Sequence, residues 1–309
     1  VSRYSHKHET THLLAAAQRW KETCLLHDGS LFSDKQLWTL NNLEELDRNF
    51  TQNPIEGGDS FVHKLSLQLA DTSPGAIQLM AELNWLLLLF SSNIKPETKR
   101  RMVKDIWELS GEPFPEQAAG LDDQSLGGVG STGVGFNTHR WRELVFLIDL
   151  MRAFKSLPTD QQQRLTQDPW TFADWMTTVR RDGIRQLPHI LNYLLFPASF
   201  EYISVSLDKE KILEAFEGMP KHRIRQLSER EVDQAMLAVR HRLEQQHGTE
   251  VDFYDSPWLE QWRPSPGTWL MVWNPNDWPW KTYQDDRLNI ASGENVTLPW
   301  RTASSHHTR

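Results

Sequence analysis

Cysteine is nearly missing: Cys24 is the only one in 309 residues, so neither an intrachain disulfide nor a cysteine-based zinc cluster can form. That scarcity favours a reducing compartment, and we expect a cytoplasmic protein. Long apolar runs are missing too. The longest, Trp85–Phe90, is far too short to span a bilayer. Val1–Thr11 is polar and His-rich, without the charged-then-apolar order of a signal peptide, so no membrane partner is expected. Basic charge is in deficit, with 33 lysines and arginines against 41 acidic residues and a net charge of -8. A protein that coats nucleic acid through its overall field is basic; any DNA contact here has to come from a local patch or a shaped pocket.

What is present is an ordinary globular balance, 39% hydrophobic and 24% charged. The apolar spacing is helical from His8 to about Gly248. Leu37, Leu40, Leu43, Leu46 and Phe50 form a stripe at three- and four-residue steps. Ser73-Pro74 is an N-cap and first-turn pair opening Ile77–Phe90. Lys95–Leu109 follows, with Met102, Val103, Ile106, Trp107 and Leu109 on its buried side and Gly111 as its stop. Trp141–Phe154, Pro169–Val179, Leu187–Leu195 and Glu229–His247 read as further helices. Residues 1–254 are therefore expected to form one irregular all-helical domain of about eight to eleven helices. A proline-rich linker, 255–267, carries Pro257, Pro264 and Pro266. The period then changes: Trp269-Leu270-Met271-Val272-Trp273 is a compact β-type run ended by Asn274-Pro275. The fold class is mainly α, with the start of a small β unit over 268–309.

Few motifs carry chemistry. Gly128-Val129-Gly130-Ser131-Thr132-Gly133 fits G-x-G-x-x-G literally, but no strand precedes it and no lysine follows to hold a phosphate. A flexible loop capping the helix at Trp141 is the better reading. His6, His8 and His12 lack a completing ligand set, and no metal or other cofactor is expected. Cys24 lies on an apolar helical face and reads as a buried structural thiol. The adjacent carboxylate pairs Glu44-Glu45, Asp122-Asp123 and Asp285-Asp286 point apart and read as solvated surface. Without a nucleophile elbow, a metal set or an acid–base pair, no catalytic site is expected. Basic clusters at Lys99-Arg100-Arg101 and Arg180-Arg181 either touch phosphates or are the cations that exposed helix ends ordinarily carry.

Tryptophan is the unusual entry: of 14, seven lie between Trp258 and Trp300. Trp273, Asn274 and Trp278 could line a base pocket, with stacking faces and one polar edge; the alternative is the core of a small β-domain.

The stretch Trp269–Trp280, with Gly293 and Pro299-Trp300, resembles the opening of an EVE domain, a PUA-like β-barrel related to YTH readers of modified bases. The helical part is similar to the region preceding such a domain in McrB-like AAA+ restriction proteins. Phe61–Leu69, Gln78–Trp85, Lys99-Arg100-Arg101, Gly133–Leu144, Leu194–Glu201 and Asp252–Pro257 carry that similarity. The EVE-like stretch stops soon after its opening, so the expected barrel is incomplete, and no Walker A sequence is present. The resemblance implies a non-catalytic specificity or regulatory module of a modification-dependent restriction or phage-defence system. Its implied partners are modified DNA, an AAA+ motor module and an endonuclease. The alternative is a helical interaction or oligomerisation scaffold that makes no nucleic-acid contact.

Overall fold

Helical periodicity in the sequence becomes helix in the structure, a computed structural model that describes residues 9–58, 60–180 and 182–263. In chain order the helices are α1 (Thr11–Trp20), α2 (Leu40–Leu46), α3 (Phe61–Gln68), α4 (Pro74–Leu89), α5 (Pro96–Trp107), α6 (Gly133–Thr138) and α7 (Arg140–Lys155). They continue as α8 (Thr159–Gln167), α9 (Pro169–Thr177), α10 (Leu187–Leu195), α11 (Ser206–Glu217), α12 (Lys221–Ile224), α13 (Glu229–His247) and α14 (Leu259–Trp262). Two run on into π-turns, α1 into Lys21–Leu25 and α2 into Asp47–Thr51. Among the described residues the β-type pairing is a single parallel bridge, Ser91 to Gly130. Val1–Arg263 is one compact unit and Pro264–Arg309 a second. The expected β segment falls in the second unit, outside the described residues.

The fold is organised around α4. Its start follows the sequence: the Ser73 hydroxyl accepts from the Ala76 N–H, Pro74 takes the first turn, and Glu45 holds Ser73 through two 2.6 Å hydrogen bonds. From Ala76 to Leu89 every side chain is buried, including Gln78, Glu82 and Asn84. A helix that is apolar all round has to be covered on all sides. The cover comes from α2, α5 and α7. From α1, Leu13, Ala17 and Trp20 join the same core, and Trp20 meets Trp38 edge-on at 5.5 Å.

A second apolar cluster belongs to the same unit. Ile212 and Leu213 of α11, Met236, Val239 and Leu243 of α13, and Val251, Phe253, Trp258 and Trp262 form it. Residues 255–263, expected as linker, thus carry α14 and bury two tryptophans, with the Trp262 indole donating to the Phe253 carbonyl at 2.6 Å. Buried ion pairs tie the second cluster together: Lys209 with Asp233 at 2.5 Å, and Arg240 with Glu201, Nε to Oε1 2.7 Å.

Candidate functional site

The basic residues named from the sequence differ in their surroundings. Lys99 is fully buried, and its Nζ donates to the carbonyls of Leu126 at 2.7 Å and Leu89 at 3.5 Å. Burial pushes its pKa down to about 7. Lys99 is therefore corrected from a phosphate contact to an internal tie between the end of α4 and the turn at Ser125–Gly127. Its place was readable, because Lys99, Val103 and Ile106 share one face at helical spacing and all three are buried. Arg100 donates from Nε to the Leu121 carbonyl at 2.8 Å and pairs with Asp123. Arg101 and Arg180 are exposed. Arg181 lies outside the described residues, as do Trp273, Asn274 and Trp278.

The glycine motif is also placed differently from the expectation. Val129 and Gly130 both donate to the Phe90 carbonyl, at 2.9 and 3.1 Å, and Ser92 donates to the Gly130 carbonyl at 2.9 Å. The loop closes the end of α4, where the helix leaves carbonyls unmet, and α6 separates it from α7. A β-carbon on Gly128, whose φ is +76°, would overlap the Ser91 carbonyl, and one on Gly130 would sit 2.5 Å from the Phe90 ring. The glycines serve close backbone approach to the protein itself.

One constellation has the residue types of nucleophilic catalysis. His189 Nε2 lies 3.0 Å from Ser206 Oγ, and Lys209 Nζ lies 3.1 Å from His189 Nδ1 while pairing with Asp233. A nucleophilic serine needs Nε2 as acceptor, with Nδ1–H donating to a carboxylate. Here an ammonium donor faces Nδ1, which leaves the ring proton on Nε2, pointing at Ser206. The polarity is the reverse of a catalytic relay. Cys24 is equally unsuited to attack: burial, then the nearby Glu82 carboxylate, push its thiol far above the ordinary range. Among the described residues no group of three His, Cys, Asp or Glu could hold a metal ion.

A groove of about 540 Å³ lies elsewhere, between the π-turn after α2, the 54–57 loop, α3 and the start of α7. Phe50, Ile55, Phe61, Trp141 and Val145 give it apolar walls; Thr51, Lys64, Gln68, Thr138 and Arg140 give it polar groups, and Glu56 is the one acid among its described lining residues. Trp141 is 44% exposed, with the Arg142 guanidinium 5.2 Å from its ring centroid. Arg140 is half-buried, bonded from Nη1 to the Met102 sulfur at 3.2 Å, and burial holds its pKa below the usual arginine range. Gln68 spends its amide nitrogen on the carbonyls of Asn53 at 2.5 Å and Phe50 at 3.3 Å, which leaves its oxygen as an acceptor. The Thr51 hydroxyl is buried and makes no hydrogen bond. Thr51 closes the π-turn, in which Gln52 N–H bonds the Asp47 carbonyl five residues back at 2.9 Å. Asp47 is itself fixed by Arg152 at 3.0 Å and Gln52 at 2.7 Å, so this wall is held in place.

The sequence reading passed over this groove although part of its signal was present. Arg140-Trp141-Arg142 is a basic segment with an aromatic inside it, the pattern absent from the clusters at 99–101 and 180–181. Its other wall comes from residues about 70 to 95 positions earlier, a juxtaposition only the fold provides. No family model matches the chain, and no curated protein or solved structure is significantly similar to it.

Proposed function

We propose that the chain is a non-catalytic specificity and regulatory module of a modification-dependent restriction or phage-defence system. In this reading the helical unit contacts DNA locally while a separate AAA+ motor and an endonuclease do the chemistry. The observation that supports it best is the groove at Trp141, which Arg140 and Lys64 line and whose exposed indole has the Arg142 guanidinium 5.2 Å from its ring centroid, in an otherwise acidic chain. The McrB-like and EVE-like resemblance supplies the system; Trp273, Asn274 and Trp278 remain its proposed base readers.

The test is fluorescence anisotropy of labelled single-stranded and duplex oligonucleotides, methylated and unmethylated, across a salt series. Binding that weakens with salt, on a slope of about two to three released counterions, is expected. A preference for the modified oligonucleotide supports the specificity role, and no binding at low salt overturns it.

A second reading, the interaction scaffold, is supported by Ile184, 85% exposed, and by Leu67 and Leu207, each at least half exposed. It predicts a mass that rises with protein concentration together with no oligonucleotide binding.

A further inference from the structure

We propose that the Trp141 groove is a nucleotide site that takes one unstacked nucleotide, its base against Trp141 and Phe61 and its phosphate at Arg140 and Lys64. The proposal rests on the groove being the nucleic-acid contact of the helical unit, and it names what enters there. The same ligand chemistry comes from two sources, a free nucleoside monophosphate or a nucleotide within a single strand.

Four features of the groove converge on this ligand. Its volume, about 540 Å³, lies in the range of roughly 300–1,000 Å³ typical of small-molecule sites. Its aromatic lining grades from buried Phe50 through half-buried Phe61 to exposed Trp141, so a flat ring can slide in against an indole already at the rim. Among its described lining residues Arg140 and Lys64 outnumber Glu56, a cationic balance suited to a phosphate.

The fourth feature separates a base from a plain aromatic anion. In the groove lining Gln68, with the amide nitrogen spent on the carbonyls of Phe50 and Asn53, keeps an acceptor oxygen. An amide oxygen suits the edge of a heterocycle that carries an exocyclic amino group. A plain phenyl phosphate offers no donor to it.

The experiment is isothermal titration of the full chain with 5′-AMP and 5′-CMP, with adenosine and inorganic phosphate as partial ligands. A six-nucleotide single strand forms a second arm. Each monophosphate is expected to bind at least tenfold more tightly than its two parts. Trp141→Ala is expected to weaken binding about tenfold, the loss of one stacking face. Lys64→Ala is expected to weaken the monophosphates and leave adenosine unchanged. Trp141 and Lys64 are not core residues, so thermal unfolding of those variants should match that of the parent chain.

Phosphate binding as tightly as 5′-AMP reduces the groove to an anion site and overturns the proposal. So does nucleotide binding unchanged in folded Trp141→Ala and Lys64→Ala. Strand binding that persists in both variants overturns the nucleotide site while leaving the module's DNA role standing. Monophosphate binding without any strand binding keeps the site and removes the DNA role. Absence of all binding at millimolar ligand overturns both.

Discussion

Glu82 lies fully buried within the apolar helix α4 and takes its hydrogen bonds from neutral donors: the Ser30 hydroxyl, the Trp38 indole at 2.5 Å, the Phe32 N–H at 3.4 Å and the Cys24 thiol at 3.8 Å. Desolvation raises its pKa above the ordinary carboxylate range, although these donors oppose the shift. One carboxyl thereby holds together a loop that has no regular structure of its own. Glu82→Ala would leave a buried indole N–H unmet, and we expect a loss of about 3 kcal/mol. A lower urea midpoint with an unchanged slope would report it. Lys99 makes the opposite case, a buried cation held by carbonyls. With a folded pKa of about 7 against an ordinary lysine value near 10.4, the unfolded chain binds more protons between these two values. Stability from this group therefore rises with pH across that window, by at most about 1.4 kcal/mol per pH unit. In Lys99→Met that increment should vanish; a stability difference between the two proteins that stays flat from pH 7 to 10 would refute the assignment. Sequence spacing places Lys99 on the apolar face of α5, yet its acceptors, the carbonyls of Leu89 and Leu126, are supplied by folding.

At the scale of elements, helix starts were the most legible features because their signals are local. Ser73-Pro74 opens α4 as expected. Ser228 and Glu231 form a reciprocal capping box at the head of α13, which ends on Gly248 in the left-handed conformation. The glycine loop was less legible. Its composition suggests freedom, whereas its backbone is bonded to Phe90 and Ser92 some 40 residues earlier. A non-local pairing leaves no trace in periodicity. The glycines nevertheless differ from one another in a way that substitution reads directly. Gly128→Ala puts a β-carbon into the Ser91 carbonyl from a positive φ, and should destabilise by at least about 3 kcal/mol. Gly127→Ala meets nothing within 4 Å and should stay within about 0.5 kcal/mol of the parent. Equal melting temperatures for these two neighbours would contradict a docked loop. The groove shows the same division: Arg140-Trp141-Arg142 is visible as a segment, while the π-turn opposite it comes from a helix that the apolar stripe predicts as regular.

The whole first unit closes later than its composition suggests. The expected linker starts at Asp255, and the change to strand-like periodicity begins only at Trp269. Between them Trp258 and Trp262 are buried, Trp258 against Phe216 at 6.3 Å and Trp262 against Tyr254 at 5.5 Å. Counting tryptophans along the chain groups these two with the later five, yet they complete the second apolar cluster of the helical unit. The physical boundary is therefore at Arg263 and Pro264. Two truncations test it. A chain ending at Arg263 keeps every member of both clusters and should unfold at nearly the temperature of the full chain's helical unit. A chain ending at Tyr254 loses both indoles, each worth about 3–5 kcal/mol when a buried aromatic is removed. The combined loss is of the order of the whole stability of an ordinary domain, about 5–15 kcal/mol. We expect that shorter chain to be largely unfolded at 37 °C, with low helical circular dichroism and rapid digestion by trypsin. If it melts like the longer one, α14 is an ornament of the helical unit and the boundary belongs at residue 254, as composition alone proposes.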